Sequence, residues 1–171
     1  MSRNKKPRKA YRPKEVSRNT IGPALHYAAK PTQQDREEVL GPMRNAIKAL
    51  REGVGTEMDW SVAAGSVAVA KAIEREGVVR GLHEHIALAE AAMQGIYDRA
   101  MRTGGGRWTR TALWFNEMDA LANFVDIHDF QFNQLSRKEL LAAIAAAEKE
   151  TVAQGHTAAV VRNIDTERIA A

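Results

Sequence analysis

Residues 80–102 read RGLHEHIALAEAAMQGIYDRAMR, and they place Leu82, Ile86, Ala89, Met93, Ile96 and Ala100 at alternating steps of four and three. That spacing gathers apolar side chains on one stripe of an α-helix, and Gly104-Gly105-Gly106 closes the run. The same rhythm recurs on both sides. Upstream, Trp60, Ala63, Ala64, Val67, Ala70 and Ile73 follow the cap pair Thr56 and Asp59 and stop at Gly77. Its many alanines predict close helix packing. Further upstream, Thr32 and Asp35 resemble a capping box ahead of Val39, Leu40, Met43, Ile47 and Leu50, with Gly53 and Gly55 as the stop. Pro42 lies inside that run, where a missing backbone donor predicts a kink or a start of regular helix at Gly41-Pro42.

Downstream, Trp114, Met118, Leu121, Val125, His128 and Phe132, flanked by Leu113, Phe124 and Ile127, predict a helix over 109–131 with a wide apolar face, expected to be the central one. Ser136 and Glu139 open a last, alanine-rich helix through Leu140, Leu141, Ile144 and Val152 to Gly155. No segment alternates with period two. The reading is an all-α, compact bundle of about five helices over 32–155, after a tail over 1–31 and before a fraying segment over 156–171.

Charge divides along the same boundaries. Residues 1–31 hold nine basic residues and one acid, a balance of +8, so of the 25 basic and 21 acidic residues in the chain 16 and 20 remain downstream, a balance of −4. A proline-containing segment this cationic cannot bury enough apolar surface to offset its ordering entropy, so disorder is expected there. Leu25, His26 and Tyr27 are the expected exception, an apolar patch able to dock on the body. The 171 residues, 44% of them hydrophobic, suffice for a core without staples. The absence of cysteine excludes disulfides, thiolate metal sites and a cysteine nucleophile, and fits a reducing cytoplasm. No apolar run approaches the roughly 20 residues of a membrane helix, so no membrane partner is expected.

Five features bear on chemistry. His83-Glu84-His85 sets two histidines two residues apart, which diverge on a helix, where ligands to one ion need spacings of three or four. It reads as a polar face. His128-Asp129 invites comparison with helical metal-dependent phosphohydrolases, yet His128 falls in the apolar stripe, where a core histidine bonded to a neighbouring carbonyl is expected. On the opposite face, Asn116, Asp119, Asn123, Asp126 and Asn133 read as solvated, and Phe130 among them is a candidate protein contact. In Gly104-Gly105-Gly106-Arg107-Trp108-Thr109-Arg110, Arg107 and Arg110 are candidate anion-binding residues ahead of a helix start. The run lacks the lysine and hydroxyl of a phosphate-binding loop, and a flexible interhelical turn is the plainer reading. In the tail, Lys5, Lys6, Arg8, Lys9, Tyr11, Arg12 and Lys14 suit phosphates with one base-stacking ring, an acidic protein groove, or solubility alone.

The opening Lys5-Lys6-Pro7-Arg8-Lys9-Ala10-Tyr11-Arg12-Pro13-Lys14, Leu40-Gly41-Pro42-Met43-Arg44 through Leu50-Arg51-Glu52-Gly53, the Trp-containing helix, Gly106-Arg107 and Ile127-His128-Asp129-Phe130-Gln131 resemble a loose group of small helical proteins encoded by bacteriophages and prophages of Gram-negative bacteria. The resemblance implies a mobile-element protein acting in the cytoplasm of a bacterial host and assigns no catalytic or binding residue. The expectation is a non-enzymatic accessory protein that binds, and inhibits or modulates, a host protein or complex such as a defence or nucleic-acid-processing assembly, with no cofactor and no metal. The alternatives are a protein binding DNA or RNA through the basic arm, with a body that forms a homo-oligomer, and a metal-dependent phosphohydrolase using His128 and Asp129.

Overall fold

A computed structural model describes residues 26–154. The arm residues Lys5, Lys6, Arg8, Lys9, Tyr11, Arg12 and Lys14, Leu25 of the expected docking patch, and the expected segment 156–171 lie outside the described residues. After a short helical turn over 26–28 come five helices: α1 (Gln33–Arg51), α2 (Glu57–Arg75), α3 (His83–Thr103), α4 (Phe115–Gln134) and α5 (Arg137–Ala153). They form the expected all-α bundle, with no strand among the described residues.

The starts of α1, α2 and α5 are fixed by capping boxes, Thr32 with Asp35, Thr56 with Asp59 and Ser136 with Glu139. In each, the hydroxyl accepts an orphan backbone N–H and the carboxylate accepts another. Helix α3 has no cap of its own. Glu74, near the end of α2, lends a carboxylate that accepts the backbone N–H groups of Gly81 (3.0 Å) and Leu82 (2.8 Å). Because Thr32 and Asp35 secure its first turn, α1 runs unbroken from Gln33 with Pro42 inside it, rather than beginning at Gly41-Pro42.

Helix α2, not α4, is the central element, for it packs against all four others. The reason is side-chain size. Ala63, Val67 and Ala70 are buried, and small residues let neighbouring backbones approach, whereas the bulky α4 stripe fills space instead. Phe124, Phe132 and Leu121 of α4 are among the largest fully buried side chains. Helix α4 also begins at Phe115 rather than at 109, and the segment before it is held in an irregular path.

Residues 26–30 lie against the body through polar contacts. Arg137 donates its backbone N–H to the Ala29 carbonyl (3.0 Å), Lys30 donates to the Asn133 carbonyl (3.1 Å), and the Arg137 guanidinium spans the His26 ring and Asp35. Burial acts to raise the Asp35 carboxyl, but hydrogen bonds from Arg137 and Thr32 outweigh it and hold the group below its ordinary value. The Glu139 carboxyl is likewise held low by hydrogen bonds from the Ser136 backbone and hydroxyl.

Candidate functional site: the loop before helix α4

The loop joining α3 to α4 carries exposed aromatic side chains on a buried polar support. Arg99 of α3 makes the support. It donates from Nη1 and Nη2 to the two oxygens of Glu117 (2.9 and 2.6 Å), from Nε to the Thr111 hydroxyl (3.0 Å) and from Nη2 to the Ala112 carbonyl (3.1 Å). The Arg99 side chain is 19% exposed and that of Glu117 only 4%. A fork-on-fork pair of this kind fixes orientation as well as distance. Glu117 also accepts the backbone N–H of Trp114 (2.7 Å), which starts α4. Gly95 of α3 leaves the room, since a Cβ there would stand 3.2 Å from the Glu117 oxygen.

The other end of the loop is anchored by Trp108. Its indole N–H donates to the Gly55 carbonyl (3.2 Å), and its ring packs on Trp60 and Tyr97 with centroids 6.3 and 6.5 Å away. Gly104 is required at the foot of the loop, because a Cβ would collide with the Arg107 carbonyl and the Thr109 hydroxyl. The interhelical turn expected at the three glycines runs on into a segment anchored at Trp108 and at Arg99.

That segment presents Trp114, 61% exposed, and Phe115, 75% exposed, at consecutive positions. The Arg99 guanidinium lies over the Trp114 ring at 4.4 Å, a cation–π contact that holds the indole upright from below. Arg102, Arg107 and Arg110 are exposed in the same stretch of chain, and no acid occurs between Arg99 and Asn116. The anion site anticipated at Arg107 and Arg110 rested on a helix starting beside them. The helix starts five residues after Arg110, with Glu117 already on its first free N–H, so the two arginines stand as loop cations without a helix terminus behind them.

Elsewhere the structure separates the residues that sequence reading had paired. His128 is buried, stacked on Phe124 (5.4 Å) and edge-on to Phe132 (5.2 Å). The Gln131 amide donates to the Ala70 carbonyl (3.1 Å), so its oxygen, 3.0 Å from His128 Nδ1, accepts the imidazole proton. Burial pushes the His128 pKa down to about 4, against the opposing pull of Gln131 and Asp129, and keeps the ring neutral. Asp129 points away, to Arg36 (3.1 Å) and Arg44 (2.9 Å) of α1. The two therefore share no reaction centre. His83 and His85 are exposed, and His85 meets Asn123 (3.0 Å) on α4. Among the described residues no three histidine or carboxylate side chains gather as metal ligands. Phe130 is half-exposed on the outer face of α4, as anticipated, with Asp126 and Asn133 exposed along that face.

A groove of about 520 Å³ follows α2, floored by Ala64, Gly65 and Ala68, with Glu38, Glu57 and Glu148 among its lining. Its carboxylates make it unsuited to an anion, in contrast to the arginine-bearing loop. Among the described residues no helix is long and apolar enough to cross a membrane. Compared with protein-family models, with curated proteins and with solved structures, the chain matches none.

Proposed function

We propose that this chain is a non-enzymatic accessory protein of the bacteriophage type, which binds a host macromolecule in the bacterial cytoplasm and inhibits or modulates it through the surface around Trp114 and Phe115. One observation carries the reading: two large aromatics are held out in solvent on a loop pinned by a nearly buried Arg99–Glu117 pair. Exposed aromatics on a mobile turn would fold onto the body. Aromatics fixed outward on a stretch that also carries exposed arginines have the composition of binding hot spots and the support that a precise contact needs.

Affinity purification from bacterial extract, with and without nuclease, tests the reading. The wild-type chain is expected to retain a partner that Trp114→Ala combined with Phe115→Ala does not. Equal retention by both would remove the loop from the function. The basic arm remains the second reading for nucleic acid, and Lys5, Lys6, Arg8, Lys9, Arg12 and Lys14 would then supply salt-sensitive attraction of low sequence preference.

A further inference from the structure

Resting on that reading of the loop, we infer that the surface around Trp114 takes single-stranded nucleic acid, with a base stacked on the open face of the indole and phosphates held by Arg107 and Arg110. Three features favour this over a protein partner. The Trp114 ring is covered by the Arg99 guanidinium on one side and open on the other, which is the form of a stacking platform backed by a cation. Phe115, the most exposed large apolar side chain among the described residues, follows directly in sequence and offers a second ring to solvent. Arg102, Arg107 and Arg110 are exposed in the same segment and form no side-chain hydrogen bond or ion pair among the described residues, which leaves them available to phosphates. Among the acids on the adjoining helices, Glu117 is paired with Arg99 and none forms an ion pair with Arg102, Arg107 or Arg110 among the described residues. A duplex keeps its bases stacked inside and offers the rings nothing comparable, so the surface selects single strands.

The test is fluorescence anisotropy of a labelled oligodeoxythymidine titrated with the full chain at several salt concentrations. Trp114→Ala is expected to weaken binding about tenfold without altering the salt dependence, because a stacked ring and no phosphate contact is lost. Trp114→Phe should recover most of that loss. Arg107→Ala with Arg110→Ala should instead flatten the slope of log affinity on log salt by about 1.4, near 0.7 for each contact to a single strand. Binding of a duplex, carried by cations alone, should be unchanged in Trp114→Ala. Phe115→Ala, at the more exposed position, provides a second variant that keeps the fold, checked by circular dichroism. Failure of the wild type to bind the oligonucleotide at low salt would overturn the inference, and so would Trp114→Ala and Phe115→Ala both binding within about twofold of it. If Trp114-dependent retention of a protein from nuclease-treated extract persisted alongside that failure, the inference would fall and the broader reading of the loop would stand.

Discussion

Replacing Arg99 by Ala should be among the most damaging single changes outside the apolar core. The side chain makes two bonds to the Glu117 carboxylate and one each to Thr111 and Ala112. Its loss leaves the 4%-exposed Glu117 carboxylate without its cation. Breaking one partner of a buried ion pair costs about 3–5 kcal/mol, a large part of the roughly 5–15 kcal/mol that holds a typical domain. With a urea slope of about 2 kcal/mol/M, the midpoint should fall by about 2 M at unchanged slope. Glu117→Gln keeps the shape and an acceptor for the Trp114 N–H, so about 1–3 kcal/mol is expected there. Changing both residues to Leu removes the stranded charge as well as the pair, and should cost less than the two single Leu variants together. An Arg99→Ala midpoint within about 0.5 M of wild type, or about 1 kcal/mol at that slope, would show that the pair does not hold the loop, and the account of the platform would go with it.

Further outcomes follow from the rest of the bundle. The His128 pKa of about 4 lies below its unfolded value of about 6.5, so the unfolded chain binds the extra proton first. Stability is therefore complete above about pH 6.5 and declines toward about pH 4, by up to about 3 kcal/mol; His128→Gln should flatten that decline in urea melts at a series of pH values. Thr56→Ala and Ser136→Ala each remove a capping hydroxyl and should each lower stability by about 1 kcal/mol, measured by thermal melting. Gly104→Ala should cost about 1–3 kcal/mol and speed amide exchange through 107–114, because the added methyl meets backbone that cannot move aside.

Much of the fold was legible because helices announce themselves locally. The stripe from Leu82 to Ala100 and the cap pairs at Thr32, Thr56 and Ser136 need only neighbours in sequence, and each appears in the structure. The loop was not legible for the same reason. Trp114 fits the rhythm of Leu121, Val125 and Phe132 and reads as core, yet the helix begins one residue after it and leaves the ring outside. What ends that rhythm is Arg99, whose partner Glu117 stands 18 residues away; no local pattern marks such a pair. The one usable signal was Glu117 three residues after Trp114, the acidic half of a capping box without its hydroxyl. Placement of the central helix depended equally on distant packing, since small side chains in α2 decide it only when the other helices are present.

The most direct test of the whole account is site-specific photo-crosslinking in bacterial cells, with the same photoreactive amino acid replacing Phe115 in one full-length chain and Phe130 in another. Phe115 and Phe130 are both exposed on α4, at its first turn and on its later outer face. The account predicts a defined adduct from position 115 and none from position 130; an adduct from position 130 alone would place recognition on the other face of α4 and contradict it.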